Sequence, residues 1–142
     1  MNRIFGNLSE IVSFQKTFLS ELEKTYNQER PATSSFGKVF VESCSQFKVY
    51  TKYCVNFATA LKELTRLETL PLYADFFEQC RVKRNMQQLK LADFLLQPIQ
   101  RICKYPLHLS ELQKYTEVYH ADCRSTNEAL IQMKRIAQVN IP

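Results

Sequence analysis

The sequence predicts an all-α fold, an elongated bundle of about five helices, on three observations. Apolar residues recur three, four and seven apart along most of the chain, the repeat of a buried helix face. Only two glycines occur, Gly6 and Gly37, too few for the hairpin turns of a sandwich or barrel. With 142 residues, 45% of them hydrophobic and 23% charged, the chain can bury one core and is not a disordered segment. Residues 1–142 are therefore read as a single domain.

From Ile4 to about Glu23 the residues Ile4, Leu8, Ile11, Phe18 and Leu22 form one stripe, widened by Phe5, Val12 and Leu19. Asn27 to Ser35 carries a proline among small polar residues and reads as a loop, with Ser34 or Ser35 placed to cap the next helix. That helix should begin near Phe36 and run unbroken through Phe40, Cys44, Phe47, Tyr50, Cys54, Phe57, Leu61 and Leu64. Pro71 interrupts, a shorter helix carries Tyr73, Phe76, Phe77 and Cys80, and a basic bend follows from Lys83 to Gln88. The last helix should start at Ser125 or Thr126 and run through Leu130, Met133, Ile136 and Ala137 towards Asn140, before Pro142.

The segment from Leu91 to Leu112 has two faces. Leu91, Phe94, Leu95, Ile99, Ile102, Leu109 and Leu112 make the apolar one, while Gln97, Arg101, Lys104, His108 and Glu111 recur four, three, four and three apart on the other. Pro98 and Pro106 lie inside it, each costing about 3 kcal/mol in an ordinary helix interior. A kinked helix, or two helices broken near Pro106, is expected.

Several classes of function are disfavoured. Five widely spread cysteines without a CxxC pair, and no histidine at metal-ligand spacing, exclude a zinc or disulfide framework, so neither metal nor cofactor is expected. No apolar run approaches the about 20 residues that span a bilayer, and the N-terminus lacks a signal-peptide core, which predicts a cytoplasmic protein with reduced thiols. His108 reads as solvated and His120, beside Asp122, as part of a helix-joining turn. With no phosphate loop, nucleophile elbow or HExxH pair, covalent catalysis is not expected.

The net charge of +5 is spread along the chain, so no nucleic-acid partner is expected. Its one tight cluster, Arg81, Lys83 and Arg84, reads first as a solvated bend and second as a phosphate or lipid contact. On chemistry alone, the polar stripe of Gln97, Gln100, Arg101, Lys104 and His108 is either a solvent-facing surface or a partner-binding face offering hydrogen-bond donors.

The run LADFLLQPIQRICKYPLHLSEL resembles the third conserved region of Dbl-homology, or RhoGEF, domains. A leucine-rich start, a hydrophobic-x-Pro-hydrophobic-Gln-Arg core and a basic-Tyr-Pro step are matched by Pro98, Gln100, Arg101, Lys104, Tyr105, Pro106, Leu107 and Leu109. IFGNLSEIVSFQKTFLSELE is similar to the family's second helix, FGKVFVESCSQFKVYTKYCVNF to its second conserved region, and LIQMKRIAQVN to its final helix.

The resemblance implies a guanine-nucleotide exchange factor that grips the switch regions of a Rho-family small GTPase and favours its nucleotide-free form. The alternative is an inactive scaffold that binds a GTPase or another protein without exchange. By motif position, Lys104 would meet switch II, Gln100 would hydrogen-bond beside it, Asn140 would complete the contact and Leu96 would select the partner. Pro98, Arg101, Tyr105 and Pro106 are expected to be structural, with Arg101 pairing an acidic neighbour and Tyr105 bracing the Pro106 kink. The family's first conserved helix, with its glutamate for switch I, has no counterpart before Ile4, and no pleckstrin-homology domain follows Asn140. The resemblance thus implies an N-terminally shortened domain with apolar surface bare on the Leu8 and Phe94 faces, open to a covering partner, and recruited to membranes through partners.

Overall fold

The computed structural model describes residues 2–85 and 88–140, with the side chain of Asn2 left out. Its α-helices are α1 (Asn2–Phe5), α2 (Leu8–Thr25), α3 (Phe36–Ser43), α4 (Val49–Glu68), α5 (Pro71–Lys83), α6 (Leu91–Lys114) and α7 (Cys123–Asn140). Among the described residues there is no strand. The fold class is the one predicted, and the helix number rises because two predicted helices are divided.

The first division falls at Gly6, whose φ of +53° belongs to the left-handed region and separates α1 from α2. Asn56 Nδ2 donates to the carbonyl of Arg3, and Asn7 Nδ2 donates to that of Val49, so both sides of this joint are held by α4. A substituted Cβ at Gly6 would press to 3.1 Å from Asn56 Nδ2.

The second division replaces the predicted unbroken helix from Phe36 to Leu64. A 3₁₀ segment, Cys44–Lys48, joins α3 to α4 while the backbone stays right-handed at its ends. Its tighter turn advances the apolar stripe and sets Phe47, with no exposed surface, into the centre of the core.

Of the two forms expected for α6, the structure excludes the break near Pro106: the helix runs continuously through Pro98 and Pro106 from Leu91 to Lys114. Tertiary burial explains this. Leu95, Ile99, Ile102, Tyr105, Pro106 and Leu109 are all buried, and each large apolar side chain contributes roughly 1.5–3 kcal/mol, against about 3 kcal/mol lost per proline. Pro71, by contrast, sits at the start of α5, where its fixed φ suits a helix N-terminus.

Neither Ser34 nor Ser35 caps α3. Ser34 Oγ instead accepts the amide of Asn27 inside the loop, and the cap comes from a distant residue. The buried carboxylate of Asp122 accepts the amides of Gly37 at 2.6 Å and Lys38 at 3.0 Å, and the hydroxyl of Thr126 at 3.2 Å. The Asp122 carbonyl also accepts the amide of Thr126, so α7 begins at Cys123, ahead of the predicted start at Ser125 or Thr126. His120 supports this turn: Nδ1 accepts the Asp122 amide, and Nε2 lies 2.6 Å from the carbonyl of Ala32.

The main core joins α2, α3, the 3₁₀ segment, α4, α6 and α7. A smaller cluster of Ile4, Leu64 and Leu95 holds α1 and the far end of α4 to α6. Tyr53, buried on α4, donates its hydroxyl to the Leu95 carbonyl at 2.7 Å. Burial pushes this phenol up to about 12, assisted by the Cys54 thiol.

Replacing Gly37 with alanine should cost about 1–3 kcal/mol, because the new methyl would lie 2.6 Å from Cα of Thr126, on backbone that cannot yield cheaply; urea unfolding measures it. At high pH, the protein should lose stability as pH rises from the usual phenol value near 10 through about 12, because the folded state holds the Tyr53 proton more tightly than the unfolded chain. An alkaline unfolding series in which Tyr53→Phe shows the same slope as the parent would contradict this.

Candidate functional site

With Leu95, Ile99, Ile102, Tyr105 and Leu109 turned into the core, the helical repeat forces the intervening polar residues of α6 outward. Gln97, Gln100, Arg101, Lys104, His108 and Glu111 are all exposed. The first five, with the edge of Tyr105, line one shallow depression. This places Gln100 and Lys104 one turn apart on an open surface rich in donors.

The arrangement suits a partner presenting carbonyls or carboxylates. Lys104 offers three donors on a flexible stem, Arg101 a planar fork, and Gln97 and Gln100 amides that both donate and accept. Among the described ion pairs neither Arg101 nor Lys104 takes part. The predicted acidic partner of Arg101 is thus absent among the described residues: its neighbours are the amides and phenols of the depression.

Tyr105 makes contacts that the sequence did not foresee: its hydroxyl donates to Gln15 Oε1 at 2.8 Å, and its ring packs edge-on against Phe18, Phe40 and Phe47. It is a tie between α6 and α2. Beside it, the Tyr50 hydroxyl and Gln15 Nε2 are buried without a hydrogen-bond partner. Burial, then the neighbouring Tyr105 phenol, pushes the Tyr50 phenol far above its usual range, against a smaller opposing effect of Arg101.

These groups floor an open groove of about 590 Å³ between α2 and α6. Its walls include Leu8, Leu22 and Phe94, half-buried, with Val12 45% and Leu19 55% exposed. The apolar surface expected on the Leu8 and Phe94 faces is this groove, and its polar floor could not be foreseen from the stripe alone.

The other two candidates sit differently. Leu96 is half-buried and packs against the main core. Asn140, at the end of α7, is 1% exposed; its Nδ2 donates to the Ile136 carbonyl at 2.7 Å, and its Oδ1 has no partner. Gln100 and Lys104 therefore share an open surface, whereas Asn140 is turned inward. Gln15 and Tyr50 were missed by sequence reasoning, because each lies within an apolar stripe and carries no motif.

All five cysteines are free. Burial, with the nearby Cys103 thiol, pushes Cys54 up to about 11, which leaves it a thiol rather than a nucleophile at neutral pH.

Fold and site together define an all-α domain with an open, donor-bearing helix face. A family model described as the RhoGEF domain matches residues 1–140, and the chain belongs to that family. It is 45% identical over 139 residues to human Rho guanine nucleotide exchange factor 4, covering 98% of this chain and 20% of the relative. It is 43% identical over 135 residues to human Rho guanine nucleotide exchange factor 9, covering 95% of this chain and 26% of the relative. The chain thus spans about a fifth to a quarter of these curated relatives. Among solved structures, the apo form of an activated truncation of Vav1 superposes with a TM-score of 0.87 at 30% identity, covering 98% of this chain and 36% of that one.

Tyr105→Phe should cost about 1 kcal/mol of stability, the net worth of one hydrogen bond, because it leaves Gln15 Oε1 without its donor. Urea unfolding with an unchanged midpoint would show that the tie contributes nothing.

Proposed function

We propose that this chain speeds guanine-nucleotide release from a Rho-family small GTPase, using the outer face of α6. The observation that carries the reading is the exposure of the family-motif residues Gln100 and Lys104, side by side and free of ion pairs among the described residues. Lys104 supplies the charge that meets carbonyls or a carboxylate of the GTPase, and Gln100 fixes the angle of approach. Leu96, beside them and half-exposed, contributes shape selectivity. Asn140 joins the contact when the end of α7 rotates its amide outward, and its unsatisfied Oδ1 favours such a partner.

No covalent step is required. A protein that binds the nucleotide-free GTPase more tightly than the loaded one weakens nucleotide affinity by the same factor, as linkage demands. The difference must come from contacts made only in the empty state, which is the role given to Lys104.

The groove between α2 and α6 supports a second reading, a scaffold that binds a GTPase without exchange. In either case an amphipathic helix, from this protein or another, covers Leu8, Val12, Leu19 and Phe94 and brings an acceptor to Gln15, Tyr50 and Arg101. Capture of nucleotide-free GTPase without faster release favours the scaffold.

The test is release of fluorescent GDP from a panel of Rho-family GTPases. Lys104→Ala should slow it roughly ten- to a hundredfold, the loss of one or two charge-assisted hydrogen bonds, with thermal stability unchanged because Lys104 is exposed. Equal rates for parent and variant would remove Lys104 from the contact; no acceleration with any member would remove exchange itself.

A further inference from the structure

Among the helices longer than one turn, α5 stands apart: it buries none of its residues. Leu72 is 79%, Phe76 57% and Val82 50% exposed, and Leu70, Tyr73 and Leu89 are exposed beside them. In the sequence order Leu72, Phe76, Gln79 and Lys83 are four, three and four apart, so they share one outward stripe whose apolar end gives way to a cation. The inner side of α5 is used differently. Ala74, Phe77, Glu78 and Arg81 face a groove shared with Phe5, Leu91 and Phe94, into whose rim Phe76, Arg84, Leu89 and Lys90 also project.

Charge is distributed along this element in one direction. Its carboxylates, Asp75 and Glu78, lie in its first half and middle, and Glu78 is neutralised by Arg81 through two hydrogen bonds of 2.6 and 2.8 Å. From Gln79 to Lys90 the chain carries Arg81, Lys83, Arg84 and Lys90 and no acidic residue. Lys83, Arg84 and Lys90 are exposed and take part in no ion pair among the described residues.

We propose that α5, with the basic residues that flank its C-terminal end, docks on an anionic phospholipid bilayer, with Leu72 and Phe76 entering the interface and Lys83, Arg84 and Lys90 meeting the headgroup phosphates. Exposed aromatic and aliphatic side chains next to unpaired cations are what an interfacial helix offers: apolar area for the acyl boundary and charge for the anionic surface. A peptide lying in the groove would cover Phe76, Phe77 and Leu89 but would leave Leu72 and Val82, which do not line it, in water. A planar surface covers the outward stripe. The contact is superficial, since no helix among the described residues is long and apolar enough to cross a membrane. It is also separate from the α6 depression, none of whose residues it uses.

The experiment is co-sedimentation of the full chain with vesicles of phosphatidylcholine alone and of phosphatidylcholine mixed with phosphatidylserine. The chain should sediment with the mixed vesicles, lose this binding as salt rises, and stay in solution with phosphatidylcholine alone. Lys83→Ala with Arg84→Ala should weaken binding about thirtyfold, at the expected contribution per basic residue, and Leu72→Ser with Phe76→Ser should abolish it. All four side chains are exposed, so thermal unfolding should match the parent in both variants, which separates lost docking from lost folding. Lys134→Ala with Arg135→Ala, on the exposed side of α7, should leave binding intact. The proposal is overturned if the parent ignores phosphatidylserine, if either α5 variant binds as well as the parent, or if the α7 variant loses as much as the basic α5 variant.

Discussion

The structure depends above all on the packing of aromatic rings around Phe47. Phe14, Phe18 and Tyr105 meet it edge-on with ring centres 4.8, 5.2 and 5.5 Å away, and Phe40 and Tyr50 stack at 6.2 and 6.3 Å. These rings come from α2, α3, the 3₁₀ segment, α4 and α6, so one cluster fixes five pieces of chain at once. Edge-on pairs are favoured by the ring quadrupole beyond the area they bury. Once Tyr105 is seated here, the rotation of α6 about its axis is settled, and with it the outward direction of Gln100 and Lys104. The donor-bearing face of α6 is a consequence of the core rather than an independent feature.

Asp122 sets the other end of the molecule. A carboxylate held by two amides at the start of α3 and by Thr126 on α7 brings together two helix N-termini 85 residues apart in sequence at the closest bond. Their unpaired amides and positive dipole ends favour a negative charge at this spot. The close approach also explains Gly37, where the Thr126 backbone leaves no room for a side chain. Here a glycine serves contact between helices, whereas Gly6 serves a backbone turn.

The packing is uneven in a way that bears on function. The centre of the bundle is filled with aromatic and aliphatic side chains, while the α2–α6 groove retains unpaired polar atoms and α5 buries none of its residues. Membership of the RhoGEF domain family accounts for the shared fold and the α6 motif. The groove and α5 are surfaces on which large apolar side chains stay exposed beside polar or basic groups.

The sequence by itself determined the fold class, the approximate place of the long helices and the sidedness of α6. These follow from periodicity, which is local: residues three and four apart share a face whatever the rest of the chain does. It also carried the α6 motif, because that motif is a contiguous run. Only the tertiary structure decided the breaks at Gly6 and Cys44–Lys48, the unbroken passage through Pro98 and Pro106, the cap supplied by Asp122, and the inward turn of Asn140. All but the last rest on a contact between residues far apart in sequence: Gly6 on Asn56, Phe47 on the core rings, the prolines on core burial, Gly37 on Asp122. Asn140 differs in that its one hydrogen bond is local, to the Ile136 carbonyl, and only its burial to 1% exposure is the work of the tertiary structure. Local propensity proposed these elements, and long-range burial chose among the forms they could take.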